Sequence, residues 1–175
     1  MSVKTRPPVI TKPERLPLGD SNFEWERFEA FCREFVSLVN DGAPCHHYGK
    51  KGNKQRGIDL VCILPSGQKR VYQCRQWKEY SKTQAEKTIK DTTYVAKDYT
   101  VLLSCEASAD VRDVFSAQPA WDVSDVRDIS FEVRQLPAIK ARKLLKQHFG
   151  IHWVTEFLGR SVPRLSLVQT NSLSH

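Results

Sequence analysis

Three polar residues are spaced so that a β-hairpin would bring them to one face. Asp59 interrupts an apolar run from Ile58 to Leu64, where an unpaired carboxylate is costly, so either a metal ion or a basic partner should balance it. Gln73 lies 14 positions later, and a turn at Pro65-Ser66-Gly67 would place it opposite Asp59 within one residue of register. Arg75 should point the same way as Gln73. The oxygens of the carboxylate and the amide could then hold a divalent cation, with the positive charge of Arg75 beside it.

The loop before Asp59 is basic and contains several glycines. Four cations fall within seven residues, namely Lys50, Lys51, Lys54 and Arg56. Glycines among them would let the backbone approach a phosphodiester closely, in contacts that are independent of sequence and sensitive to salt. This pattern favours a nucleic-acid-binding loop, and a mobile, solvated loop is the alternative.

Several other residues have two interpretations each. Glu29 adjoins the apolar stripe of a predicted helix and is either part of a site or an ordinary solvated carboxylate. The Cys45-His46-His47 run resembles a metal cluster, but adjacent residues of an extended segment point to opposite sides. Loop histidines near a phosphate backbone, or plain surface residues, fit that run better. Trp77 and Tyr80 could stack on bases or close a core.

Composition indicates a folded protein with an anionic partner. The 175 residues carry a formal charge of +7, which favours nucleic acid first and an acidic membrane surface second, with solubility alone as the alternative. The five cysteines contain no C-x-x-C pair, which argues against a zinc ribbon. Four of them lie in apolar runs, so we expect buried free thiols in a reducing cytoplasm. No stretch approaches membrane-spanning length, so the sequence predicts a soluble protein with no membrane partner.

Periodicity and capping patterns predict the elements that must position these residues. In chain order they are a helix over 23–39 opened by Ser21 and Glu24, strands over 58–64 and 70–76, a helix from the Ser81–Gln84 capping box to about Thr93, a buried strand over 99–104, a short helix capped by Ser108, a weaker strand over 129–133 and a basic helix from Pro137. This order predicts an α/β sandwich with a mixed sheet. The predicted divisions are a flexible basic leader over 1–20, a core over 21–136, a helical segment over 137–159 and a tail over 160–175.

The phrases Gly57-Ile58-Asp59 and Gln73-Cys74-Arg75, with Phe28-Glu29 on the preceding helix, resemble the PD-(D/E)xK nuclease superfamily, in particular its Mrr-like branch. The resemblance spans about Phe28 to Ser104. It implies a restriction-endonuclease-like three-layer α/β/α sandwich with a central mixed β-sheet. It also implies a Mg²⁺-dependent (or Mn²⁺-dependent) endonuclease that hydrolyses phosphodiester bonds of DNA.

The same resemblance implies a role for each matching residue. Asp59 would bind the metal, Gln73 would replace a second acid, the carbonyl of Cys74 would be a further ligand, and Glu29 would complete the set directly or through water. Arg75 occupies the family's lysine position. A guanidinium can stabilise developing charge but does not lose its proton, so it cannot act as a base. The site is therefore a nuclease using arginine, a nuclease using nearby Lys78, or a weak or inactive form.

The resemblance also implies a context and leaves alternatives. Similar domains are found at the N-terminus of antiviral STAND-type NTPases, which implies a cytoplasmic effector that acts on DNA and assembles as a homo-oligomer through fused NTPase or sensor domains. Lys78 would add to the DNA contacts. One alternative is a nuclease-fold module that binds nucleic acid without cutting it. Another is an oligomerisation module whose basic helix, Lys140 to Lys146, docks a partner.

Overall fold

The computed structural model describes residues 18, 23–49, 55–124, 136–151 and 154. Within these ranges the helices are α1 (Trp25–Val39), α2 (Lys82–Asp91), α3 (Ala109–Ser116) and α4 (Ala138–Phe149). The strands are β1 (Cys45–His47), β2 (Leu60–Ile63), β3 (Lys69–Arg75), β4 (Asp98–Leu103) and β5 (Trp121–Ser124). The predicted strand over 129–133, the tail over 160–175 and most of the predicted leader lie outside the described residues. Leu18, inside that predicted leader, is fully buried.

The five strands form one mixed sheet in the order β1-β2-β3-β4-β5. The pairs β1–β2 and β2–β3 are antiparallel, whereas β3–β4 and β4–β5 are parallel. A tight turn with Gly67 at φ 81° joins β2 to β3, and α2 and α3 supply the crossovers that parallel neighbours require. The predicted α/β class and mixed sheet are confirmed.

Helices cover both faces of the sheet. One core cluster packs α1 and α4 against Leu60, Cys62, Tyr72 and Leu102. A second cluster packs α2 and α3 against Val101, Leu103 and Val123. Because successive residues of a strand point to opposite faces, neighbours such as Tyr72 and Gln73 belong to different sides of the molecule.

Local sequence rules account for most helix starts. Ser81 and Gln84 form the predicted capping box at α2, and the Ser108 hydroxyl accepts a hydrogen bond from the Val111 N–H at α3. At α1 the prediction was wrong, because the helix begins at Trp25 and Glu24 occupies the N-cap position without a side-chain bond. Five residues of the predicted apolar stripe of α1 are buried as expected, namely Phe28, Phe31, Cys32, Phe35 and Val36. Val39, the last residue of the predicted stripe, is exposed, so the prediction was wrong there.

The cysteine prediction needs a correction. Cys45 and Cys62 lie directly opposite each other on β1 and β2 and form a disulfide, so the expectation of five free thiols was wrong for this pair. Cys32 and Cys74 are buried and Cys105 is half-buried, and none of the three is in a disulfide. A disulfide is more typical of an oxidising than a reducing compartment, so the predicted cytoplasmic location loses the support taken from free thiols. Among the described residues, no helix has the length and apolar character needed to cross a membrane.

Candidate metal and phosphodiester site

The β2–β3 hairpin brings Asp59 and Gln73 together. Leu60 pairs with Tyr72 across the hairpin, and the Asp59 N–H donates to the Tyr72 carbonyl at 2.8 Å. Because Tyr72 pairs with Leu60 and its carbonyl also accepts the Asp59 N–H, the register shifts by one residue here. Asp59 therefore lies beside Tyr72, within one residue of the position opposite Gln73, as predicted. Gln73 and Arg75 share a strand face because they are two residues apart.

Asp59 is a buried carboxylate, only 6% exposed. Its Oδ2 accepts hydrogen bonds from the Cys74 N–H at 2.7 Å and from Nη1 of Arg75 at 3.3 Å. Burial raises the pKa of Asp59 above its usual value, and the Cys74 N–H and the Arg75 charge offset only part of that effect. The negative charge of Glu29 raises the pKa of Asp59 further. A cation bound to Asp59 would counter both effects.

Gln73 has an unused hydrogen-bond acceptor. The residue is 3% exposed, and its Nε2 donates to the Gly57 carbonyl at 2.6 Å. Its Oε1 has no hydrogen-bond partner and, among the described residues, is the single buried side-chain nitrogen or oxygen in that state. Buried oxygens are seldom left unpaired, so one that is unpaired calls for an explanation.

Gly57 positions the carbonyl that orients this amide. Its φ is +82°, and a Cβ at this position would lie 2.6 Å from Oγ1 of Thr92 and 2.7 Å from the Thr92 Cα. Only glycine therefore fits this turn against α2's C-cap residue Thr92. The Gly57 carbonyl is held there and takes the Gln73 Nε2, so the amide oxygen is the end of the side chain left for a ligand.

Arg75 lies between two of the predicted ligand atoms. Its Nη1 donates to the Cys74 carbonyl at 2.7 Å and to Asp59 Oδ2 at 3.3 Å. Its guanidinium carbon also lies 5.9 Å from the centre of the Trp77 ring. The guanidinium thus bonds to two oxygens that the resemblance assigns to a metal.

Glu29 is paired rather than simply solvated. Its Oε1 lies 2.9 Å from Nδ1 of His47, and its side chain is 19% exposed. Sequence reasoning missed this partner, because it placed His47 in a loop, whereas β1 holds the residue beside α1. Within the described ranges, no three His, Cys, Asp or Glu side chains form a metal-binding group. A cation here would draw on other oxygens as well, such as the amide oxygen of Gln73 or a backbone carbonyl.

The predicted nucleic-acid contacts are only partly visible. Arg56 and Lys78 are both exposed, Arg56 in the turn before β2 and Lys78 just beyond β3. Arg56 has a positive φ of 50°, and its carbonyl accepts hydrogen bonds from the Thr93 and Tyr94 N–H groups. Lys50, Lys51 and Lys54 lie outside the described residues.

A cleft of about 520 Å³ opens beside this polar set. Gln73, Cys74 and Arg75 contribute to its lining. Two tryptophans, Trp25 and Trp77, also line it, and the residues from α2 are Gln84, Lys87, Thr88 and Asp91. Sequence reasoning considered Trp77 but missed Trp25, since nothing in the local pattern relates the start of α1 to the end of β3.

The residues present fit a hard divalent cation in part. Asp59 supplies a buried carboxylate and Gln73 supplies a free amide oxygen, which are ligand types that Mg²⁺ and Mn²⁺ accept. The Cys74 carbonyl is engaged by Arg75 and would have to be released before it could serve as a third ligand.

The chain matches no protein-family model, and neither characterised proteins nor solved structures gave a match. A function therefore has to be inferred from the site itself.

Proposed function

We propose that the chain is a divalent-metal-dependent DNA endonuclease domain with a restriction-endonuclease-like fold of the PD-(D/E)xK type. The observation that carries the proposal is the buried, unpaired Oε1 of Gln73 opposite the buried carboxylate of Asp59. A five-stranded mixed sheet with helices on both faces is compatible with such a fold.

Asp59 and Gln73 would hold Mg²⁺ or Mn²⁺ through their oxygens. Glu29, close enough to Asp59 to raise its pKa, would join directly or through a water molecule. When bound, the cation would act as a Lewis acid and lower the pKa of a coordinated water. In return it would stabilise the charged form of Asp59, which burial disfavours.

Arg75 would stabilise negative charge at the phosphate being hydrolysed. A guanidinium is planar, permanently charged and suited to phosphate oxygens, but it does not accept a proton. Only its Nη1 is bonded to Asp59 and to the Cys74 carbonyl, so the other donors of the guanidinium remain for phosphate oxygens.

DNA is the proposed partner because of charge and position. The formal charge of +7 favours a polyanion, and the exposed Arg56 and Lys78 flank the hairpin that carries Asp59. The proposal includes a cytoplasmic role as the effector part of a larger defence protein, with assembly through fused NTPase or sensor domains.

A second candidate is a nuclease-fold module that binds nucleic acid without cutting it. The observation in its favour is the pair of bonds from Arg75 Nη1 to Asp59 Oδ2 and to the Cys74 carbonyl. In this case the guanidinium takes the place of the metal, and the site is held together by the protein's own cation.

Plasmid cleavage tests the leading proposal. Supercoiled DNA is incubated with the parent protein, Asp59→Ala and Asp113→Ala in Mg²⁺, in Mn²⁺ or in EDTA. Asp113 is an exposed acid on α3 and serves as the matched control. We expect metal-dependent nicking that falls at least about 100-fold in Asp59→Ala, as expected when a metal ligand is lost, and is retained in Asp113→Ala. Equal cleavage by the parent and Asp59→Ala would exclude the assignment.

Arg75→Lys separates the two candidates. A lysine ammonium is smaller than a guanidinium and can lose its proton, so this variant should cut at least as fast as the parent if the site hydrolyses DNA. Salt-sensitive DNA binding by the parent and the variant, with no cleavage by either in Mg²⁺ or Mn²⁺, would favour the binding module.

A further inference from the structure

Two of the three described tryptophans are exposed, and both line the cleft beside Gln73 and Arg75. Trp25 is 38% exposed and Trp77 is 39% exposed. By contrast, Trp121 is stacked on Tyr99, with 4.6 Å between ring centres and 11° between planes. Exposed indoles that share one cleft are typical of a binding surface rather than of a core.

Each of the two indoles packs against another aromatic ring. Trp25 packs on Phe28 with 5.9 Å between ring centres, and Trp77 packs on Tyr80 with 5.4 Å. The Gln76 side chain ties the two regions together, because its Nε2 donates to the carbonyls of Leu18 and Phe23. The segment before α1 is thereby fastened to the end of β3.

The remaining lining of the cleft is polar and mostly paired. On α2, Lys87 forms an ion pair with Asp91, and Thr88 bonds to the Tyr80 hydroxyl. The unpaired Oε1 belongs to Gln73, and the guanidinium belongs to Arg75. A ligand with a flat apolar face, hydrogen-bonding edges and a negative charge would match this set. The volume lies within the roughly 300–1,000 Å³ typical of small-ligand sites, so one nucleotide fits.

We propose that this cleft takes an unpaired nucleotide of DNA, with its base stacked on Trp77 and its phosphate beside Arg75. The inference rests on the proposed function and names the substrate class, which is single-stranded DNA or a nucleotide turned out of a duplex. Bases in an intact duplex have their faces covered by neighbouring bases, so they cannot stack on these indoles without leaving the helix.

Binding measured in EDTA tests the inference apart from cleavage. A labelled short oligothymidylate, a duplex of the same length and an abasic sugar-phosphate chain of the same length are titrated with protein, and fluorescence anisotropy gives each Kd. The proteins are the parent, Trp77→Ala, Trp77→Phe and the control Val95→Ala, whose residue is 90% exposed and does not line the cleft. The abasic chain carries the phosphates without the bases.

Trp77→Ala should weaken oligothymidylate binding by about 5- to 150-fold, the usual range for loss of one stacked base. Its affinity for the abasic chain should stay within about twofold of the parent's, because that interaction is mainly with phosphates. Weaker binding of the duplex by Trp77→Ala would identify a nucleotide turned out of a duplex, and unchanged duplex binding would identify single-stranded DNA. Trp77→Phe should retain most of the affinity, and Val95→Ala should behave like the parent.

Equal loss for the oligothymidylate and the abasic chain, or no loss for either, would overturn the inference. The proposed nuclease function would survive that result if plasmid cleavage still depended on Asp59. Conversely, base-dependent binding through Trp77 without any cleavage would support nucleotide binding in the cleft and exclude the proposed nuclease activity.

Discussion

Two buried amides on opposite faces of β3 differ in how fully they are hydrogen-bonded. Asn40, at the end of α1, donates from Nδ2 to the Val36 carbonyl at 2.7 Å and to the Tyr72 hydroxyl at 2.8 Å. Its Oδ1 accepts from Arg70 Nη1 at 2.6 Å. Gln73 donates from Nε2 to Gly57, and its Oε1 has no partner.

The contrast separates a structural amide from a candidate ligand. Tyr72 and Gln73 are adjacent on β3 but face opposite sides of the sheet, so the two amides serve different cores. Both the Nδ2 and the Oδ1 of Asn40 form hydrogen bonds that join α1 to β3. The Oε1 of Gln73 is a buried acceptor without a bond, which costs free energy of folding. That cost is understandable if a cation or another donor fills the place.

The largest expected stability effect comes from Asn40→Ala. This change leaves the Tyr72 hydroxyl and the Arg70 guanidinium without a shared partner, so the free energy of unfolding should fall by about 1–3 kcal/mol. Urea unfolding in EDTA measures it, with Val39→Ala as the control on an exposed neighbour. A change in unfolding free energy no larger than that of Val39→Ala would show that the Asn40 bonds are not structural.

Gln73→Met should change stability much less. The substitution keeps a similar volume and removes an acceptor that has no partner. It also removes the Nε2 bond to the Gly57 carbonyl, which keeps a donor in Oγ1 of Thr92 at 3.4 Å, so the effect should stay within about 1 kcal/mol in EDTA. The same urea experiment applies. A loss as large as that of Asn40→Ala would mean that Oε1 already has a stabilising role, and the contrast between the two amides would fail.

The smallest effect should be a pH dependence at Asp59. Burial raises its pKa above the usual 3.8, so the folded protein holds this proton to higher pH than the unfolded chain does. Stability is therefore lost as pH rises from about 3.8 through the raised pKa. In EDTA, Asp59→Asn should remove this loss, so its stability relative to the parent should increase from acid to neutral pH. Parallel stability–pH curves for the two proteins would contradict the raised pKa.

Sequence reasoning reached those features that local rules decide. A turn between two strand-like runs was enough to place Asp59 within one residue of Gln73 across the hairpin, and capping patterns gave the starts of α2 and α3. It failed where distant segments meet. The three-residue β1, the four-residue β5 and the Cys45–Cys62 disulfide all depend on pairing across the fold rather than on neighbours in sequence.

The same limit applied to the site. The bond from Glu29 to His47 and the shared cleft of Trp25 and Trp77 join residues from separate elements, and no spacing rule relates them. Side-chain bonding was also out of reach. The resemblance suggested that Arg75 stands where PD-(D/E)xK nucleases have a lysine, but only the structure shows its guanidinium bonded to both Asp59 and the Cys74 carbonyl.

Calorimetric titration with Mn²⁺ tests the central claim most directly. The parent, Gln73→Met and Asn40→Ala are compared at neutral pH without DNA, so that the result does not depend on cleavage. We predict saturable binding by the parent, binding weakened about 10- to 100-fold in Gln73→Met, and parental affinity in Asn40→Ala. No saturable binding by the parent, or the same affinity in Gln73→Met, would contradict a cation site at Asp59 and Gln73.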